Sequence, residues 1–252
     1  MNLKSLNKPQ KFLLGLFLLG MGGITYLAYQ NHILKKNGKF LPKNREQLLR
    51  LVKNEYIRLN MIDTSEITDM SNLFHVPITE LSTIPLPDED IRKNREQSAW
   101  DRQDFTGIET WDTSKVTNMS RMFQNSHFNQ PIENWDVSNV KDMSSMFCDA
   151  KRFNQPLDKW DVSNVESMYS MFKNAISFNQ PLNNWNVSKV KNMSSMFEAA
   201  ISFNQPLNNW NVGNVNVNWM FDDAISFNQN LDSWGDKNPF KKNHGKNPDY
   251  NP

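Results

Sequence analysis

The apolar positions of this chain return in step. Trp111, Trp135, Trp160, Trp185, Trp210 and Trp234 are 24, 25, 25, 25 and 24 residues apart. Within a unit, apolar side chains fall at offsets +2, +5, +8, +11, +12, +15, +18 and +22 from the Trp. That is neither the 3.6-residue stripe of an amphipathic helix nor the alternation of a half-buried strand. The offsets run round the whole unit, as expected when one repeat makes one turn of a coil and every straight segment points a side chain inward. Such a unit cannot bury its apolar set alone, and stacking on its neighbours closes the core.

The best-formed unit predicts its own elements. Val137, Val140 and Met143 suggest a short strand, and residues 144–147 a single helical turn with Ala150 packed behind it. Pro156 then ends the helical part and forces an extended bend. The expected fold class is an α/β repeat solenoid, leucine-rich-repeat-like, with one short strand and one short helical turn per coil. The unit at Trp210 is one residue short, with NVNVNWMF in place of the usual stretch, and the unit at Trp111 is one short near residues 125–127. A degenerate copy begins at Ile62, where IDTSEITDMSNLF parallels WDTSKVTNMSRMF.

The ends depart from the repeat, as arrays require. Residues 42–61 read as a helix-strand cap: Asn44 and Gln47 stand at capping-box spacing, and Leu48, Leu51 and Val52 form an apolar stripe. The solenoid is expected over residues 62–234, with an insertion near 75–104 that projects as a loop. Residues 235–252 are polar and rich in Asn, Lys and Pro, the composition of a disordered tail. At the front, the stretch from Phe12 to Tyr29 is 18 residues without a charge, preceded by Lys4, Lys8 and Lys11. As a helix it would be about 27 Å long, near the hydrocarbon thickness of a bilayer. Residues 1–30 are therefore expected to form an uncleaved transmembrane anchor, ahead of a cleaved signal peptide or a buried helix, with 31–41 as linker. Lysines on both sides leave its orientation open.

Recurrence also assigns the polar slots. Asn129, Asn154, Asn179, Asn204 and Asn228 share one slot. Stacked about 5 Å apart, their amides would satisfy backbone groups of their own and the next coil, as a buried ladder. Asp112, Asp136 and Asp161 share the slot after Trp with Asn186 and Asn211. A calcium ladder needs several charged oxygens converging on one point, whereas a cap on the following turn accepts Asp and Asn alike.

Composition narrows the chemistry. In 252 residues, 28 Lys and Arg balance 27 Asp and Glu, so no global field favours nucleic acid. Hydrophobic residues make up only 38%, so the 12% aromatics must carry much of the core. The single cysteine, Cys148, excludes an intrachain disulfide and a Cys-rich metal site. Its slot holds Gln124, Lys173, Glu198 and Asp222 in other coils, which reads as an ordinary exposed position. His32, His75, His127 and His244 show no metal-ligand spacing, and no nucleophile motif or phosphate-binding glycine loop occurs. No catalysis, cofactor or metal is expected.

The run WDVSNVKDMSSMFCDAKRFNQPL resembles the 25-residue repeat of bacterial BspA-type leucine-rich-repeat surface proteins. LVKNEYIRLNMIDTSEITDMSNLF and DFTGIETWDTS also resemble that family's amino-terminal portion. The likeness runs from about Pro42 to Trp234. It implies a bacterial, often exported, non-enzymatic protein linked to adhesion and protein binding, with no catalytic residues to carry over. The chain differs from longer members in having few repeats, no lipidation cysteine and no visible wall anchor.

The expected function is that of an exported, membrane-tethered protein that binds a protein or other macromolecule at the cell envelope. The alternative is an intracellular or membrane-associated scaffold. Partner-binding candidates lie in slots that the repeat leaves free: Thr117, Lys141, Glu166 and Lys191 after the second Val, and Asp88, Arg92, Lys93 and Arg95 in the insertion. A solvated charged surface is the plain alternative for all of them.

Overall fold

The computed structural model describes residues 38–77 and 98–240. The chain divides into two compact units, Met1–Leu41 and Pro42–Pro252, and the repeats belong to the second. Its one α-helix among the described residues is α1, Arg45–Val52. Asn44 caps it by accepting from the Gln47 amide at 3.0 Å, and the Gln47 side chain reaches back to the Lys43 amide at 2.8 Å. Leu48, Leu51 and Val52 are fully buried on its inner face. Short 3-10 turns follow at Leu59–Met61, Ile108–Thr110 and Asp232–Lys237.

The α/β solenoid expectation is corrected here. Among the described residues the repeats contain no helix and no strand longer than a single bridge. What joins them is one run of isolated parallel bridges, Asp69 to Asn118, Asp142, Ser167, Asn192 and Asn216. The strand expected in the helix-strand cap over residues 42–61 is also missing, and the 3-10 turn Leu59–Met61 stands there instead.

The backbone explains why. In the unit at Trp135, the amides of Met143, Ser145, Phe147 and Asp149 donate to the carbonyls of Ser167, Tyr169, Met171 and Lys173 in the next unit. The amides between them turn inward instead: Met146, Cys148 and Ala150 donate three residues back, to Met143, Ser145 and Phe147. A helix needs an unbroken run of right-handed residues. Here Ser145 (φ 56) and Asp149 (φ 57) are left-handed, and the pattern recurs at Ser170 and Asn174 and at Ser195 and Ala199. One left-handed residue in four converts the expected helical turn into overlapping tight turns. Every backbone amide of the run is still satisfied.

The core lies along the stack. Phe123, Phe147, Phe172, Phe197 and Phe221 form one column, with ring centroids 5.6–5.7 Å apart. Phe128, Phe153, Phe178, Phe203 and Phe227 form a second, at 5.9–6.0 Å. Each tryptophan of the period is buried. Its indole N–H donates to a backbone carbonyl earlier in the chain, for instance Trp160 to Ile132 at 3.0 Å and Trp210 to Leu182 at 3.0 Å. A buried Trp thus brings both apolar area and a satisfied polar tip.

The membrane expectation is also corrected. No helix among the described residues is long and apolar enough to cross a membrane. The eight residues of α1 reach about 12 Å against a hydrocarbon core of about 30 Å. The stretch from Phe12 to Tyr29 lies outside the described residues, and the membrane-anchored, exported location expected from it has no support.

Candidate functional site

The four repeat-borne candidates form a row. Thr117, Lys141, Glu166 and Lys191 each follow a buried valine (Val116, Val140, Val165, Val190) and precede a bridge residue. Their amides pair from unit to unit: Thr117 donates to Thr68, Lys141 to Thr117, Glu166 to Lys141, Lys191 to Glu166 and Asn216 to Lys191, all at 2.8–2.9 Å. The structure therefore brings these residues together and fixes their spacing through backbone. Their side chains face water. The Lys191 ammonium pairs with the Glu166 carboxylate at 2.5 Å, the two side chains being 76% and 46% exposed. That hydrogen bond, then the Lys191 charge, then Lys141 and Lys189, hold the Glu166 carboxyl below its ordinary range. Neighbouring slots continue the mixed charge: Lys115 pairs with Glu66 at 3.2 Å, and Lys189 donates to Asn164 Oδ1 at 2.5 Å. Asp88, Arg92, Lys93 and Arg95 lie outside the described residues.

Other slots resolve differently. Asp112, Asp136, Asp161 and Asn186 each accept from the amide two residues on, at 3.0–3.2 Å. These are Asx turns that start each coil, and among the described residues no group of three or more acidic, His or Cys side chains is placed to hold a metal. The asparagine row is a ladder, but not a core one: Asn154, Asn179 and Asn204 are half-buried and the end members Asn129 and Asn228 are exposed. The side-chain oxygens of Asn129, Asn154 and Asn179 accept from the backbone amides of Asn154, Asn179 and Asn204 at 2.9–3.0 Å. Gln155, Gln180 and Gln205 donate to the same oxygens at 3.0–3.1 Å. Cys148 is buried at 6% exposure, not exposed as expected. Its thiol donates to Asp149 Oδ2 at 3.2 Å, and burial, with the nearby Asp149 charge, pushes it far up, which suppresses the reactive thiolate.

Three features escaped the sequence reading. The first is Arg102, inside the expected loop and only 3% exposed. Its guanidinium donates to the carbonyls of Val52 at 2.9 Å and Ile57 at 2.8 Å, and to Asp104 at 2.7 Å. It ties α1 to the start of the stack. The second is Phe240, placed in the expected tail, whose ring packs 5.8 Å from Phe221 and 6.0 Å from Phe227. The third is Trp219, which is 59% exposed and left-handed at φ 54. The shortened stretch NVNVNWMF marked its place, since this Trp is out of phase with all the others. It borders a cavity of about 590 Å³ shared with Lys191, Asn216, Asp236 and Pro239.

A family model described as "Mycoplasma protein of unknown function, DUF285" matches residues 93–197 and 168–244. No curated protein and no solved structure matches the chain.

Proposed function

Because the chain belongs to the DUF285 family of Mycoplasma proteins, whose function its description leaves unknown, we propose from the geometry that it is a non-catalytic binding protein holding a protein partner against its repeat surface. The observation that carries this reading is the row Thr117, Lys141, Glu166 and Lys191. Its spacing is set by backbone hydrogen bonds of 2.8–2.9 Å rather than by flexible side chains. A partner therefore meets charges of fixed order on a surface already organised, so binding costs less ordering entropy. The resemblance of the repeats to BspA-type proteins, linked to protein binding, favours the same reading. The interleaved signs of Lys141, Glu166 and Lys191 suit a partner surface of complementary alternation, which confers specificity more than raw affinity.

The test is the triple reversal K141E/E166K/K191E in the full chain. It inverts the row while keeping opposite charges adjacent, so the Glu166–Lys191 pairing survives in mirrored form. Melting should change little, since exposed pairs are worth about 0–1 kcal/mol. Capture of a partner first identified with the parent chain should fall steeply. Undiminished capture would remove the row from the binding surface.

A further inference from the structure

Hydrogen bonding between repeats has a direction. Each unit donates from four alternate amides to four alternate carbonyls of the unit that follows. The last such step runs from Met193, Ser195, Phe197 and Ala199 to Asn216, Asn218, Met220 and Asp222. The amides in the same slots of the final unit belong to Val217, Trp219, Phe221 and Asp223, and no described carbonyl or side chain accepts from them. The carbonyls of Val217, Trp219 and Phe221 are already used within the unit, by Met220, Asp222 and Ala224. The reverse-running row ends at Asn216, whose own carbonyl already accepts from the Met193 amide. The edge therefore presents donors at two-residue spacing.

Its side chains are unusual too. The left-handed slot that holds Asn72, Arg121, Ser145, Ser170 and Ser195 elsewhere holds Trp219 here. A bulky residue at positive φ is strained, and a 59% exposed indole gains little from burial in the free chain. A partner that covers the ring would add the missing burial. The cavity of about 590 Å³ shares Val217, Asn218 and Trp219 with the edge and leaves room beside it.

We propose that this edge binds a peptide segment of a partner protein that takes up the tight turns of the stack, whose alternate carbonyls accept from Val217, Trp219, Phe221 and Asp223 and whose side chain packs on Trp219. This is edge-addition recognition, as in strand addition, transferred to a turn-built stack. A second copy fits poorly. Tail to tail, donors would face donors. Head to tail, the edge would meet the first unit, where two of the four matching carbonyls are taken, Ser71 by Arg45 at 2.6 Å and Leu73 by the Ala99 amide at 2.7 Å, which leaves only Asp69 and His75. The inference rests on the binding-protein reading above but not on the charged row.

The test follows amide exchange by NMR in the full, nitrogen-15-labelled chain. The probe is a synthetic peptide of residues 191–200, KNMSSMFEAA, whose carbonyls at Asn192, Ser194, Met196 and Glu198 take such bonds inside the stack. A scrambled peptide is the control. In the free chain the amides of Val217, Trp219, Phe221 and Asp223 should exchange fast and those of Met193, Ser195, Phe197 and Ala199 slowly. The probe, not the control, should slow the first set and shift Trp219 emission. W219N should weaken probe binding about tenfold or more, the effect of removing an aromatic anchor. K141E/E166K should leave it unchanged, which separates this site from the charged row. Slow exchange of the first set in the free chain would overturn the proposal, whether dilution relieves it (a second copy) or not (the chain's own residues). So would equal protection by probe and control, or none by either at millimolar peptide.

Discussion

At the N-terminal end of the stack the outward carbonyls of Ser71 and Leu73 meet Arg45 and the Ala99 amide. At the C-terminal end the outward amides of Val217, Trp219, Phe221 and Asp223 meet no described acceptor. The apolar core, by contrast, is closed at both ends, by Leu48 and Leu51 of α1 on one side and by the Phe240 ring on the other. Apolar closure and backbone closure are thus separate matters in a repeat protein. Any side chain of sufficient area achieves the first. The second needs groups of the right polarity at the right spacing: Arg45 and Ala99 meet two of the four outward carbonyls at the first end, and no described group meets the four outward amides at the last. The end whose outward amides meet no described acceptor is also the end with the strained, exposed Trp219.

Stacking along the core should give the largest differences. Trp210 lies between Trp185 at 6.3 Å and Trp234 at 6.5 Å, whereas Trp234 has a Trp on one side alone. Trp210→Ala removes a large buried side chain and a satisfied indole N–H, at about 3–5 kcal/mol. Trp234→Ala should cost less, because fewer neighbours lose their contacts. Chemical denaturation of both variants checks the order. Equal losses would mean that the terminal unit is packed as tightly as an inner one, and the contrast between end and interior would fail.

The closed end should be nearly as sensitive to one residue. Arg102→Ala leaves the carbonyls of Val52 and Ile57 without the donor that the structure gives them. Each orphaned buried acceptor costs about 1–3 kcal/mol. Amide exchange should speed up through α1 and the first unit, while the Phe197 and Phe203 region keeps its protection. Uniform acceleration along the stack would show that α1 is not a separately anchored cap.

How far the sequence foretold this architecture depends on which signal carried each part. The Trp and Phe columns were legible because every inner unit repeats them, and identical slots stack. The wrong elements came from reading spacing alone. Val137, Val140 and Met143 suggest a strand by residue type but stand three apart rather than two, and the backbone conformation beyond them is set by Ser145 and Asp149, which are left-handed. Half of that was readable: Asn125, Asp149, Asn174 and Asp223 share one slot with Ala199, and Asn and Asp tolerate positive φ better than most residues. The other half, at Ser145, Ser170 and Ser195, carries no such mark. Arg102 was illegible because it sits in an insertion with no repeat mates. The row from Thr117 to Lys191 was legible as a variable slot, but the direction of its hydrogen bonds was not, and the unpaired edge follows from that direction.

Acidity should weaken the closed end specifically. Burial, with the Arg121 charge adding to it, holds the His75 imidazole at about 4, against an ordinary 6.5, and its Nδ1 has no partner among the described residues. Between pH 6.5 and about 4 the unfolded chain takes up this proton and the folded chain does not. Stability from this group is complete above 6.5, falls as pH drops through that window and loses nothing further below it. His75→Gln should flatten the pH dependence of unfolding across that window and leave lower pH unaffected. A slope equal to the parent's would place the titrating group elsewhere.

The smallest effect, and the only stabilising one, belongs to Trp219→Asn at the open end. Asn stands in the matching left-handed slot at Asn72, and left-handed backbone costs an ordinary residue about 1–2 kcal/mol, less for Asn. Trp219 is 59% exposed, so little apolar burial is lost with it. The variant should therefore unfold at slightly higher denaturant, by about 1 kcal/mol or less, with the amides of Met193, Ser195, Phe197 and Ala199 as protected as before. A gain in stability paired with a loss of peptide binding is the signature of strain kept for a ligand. A clear loss of stability would mean that the indole supports the terminal unit itself, and the asymmetry between the two ends would be one of packing rather than of recognition.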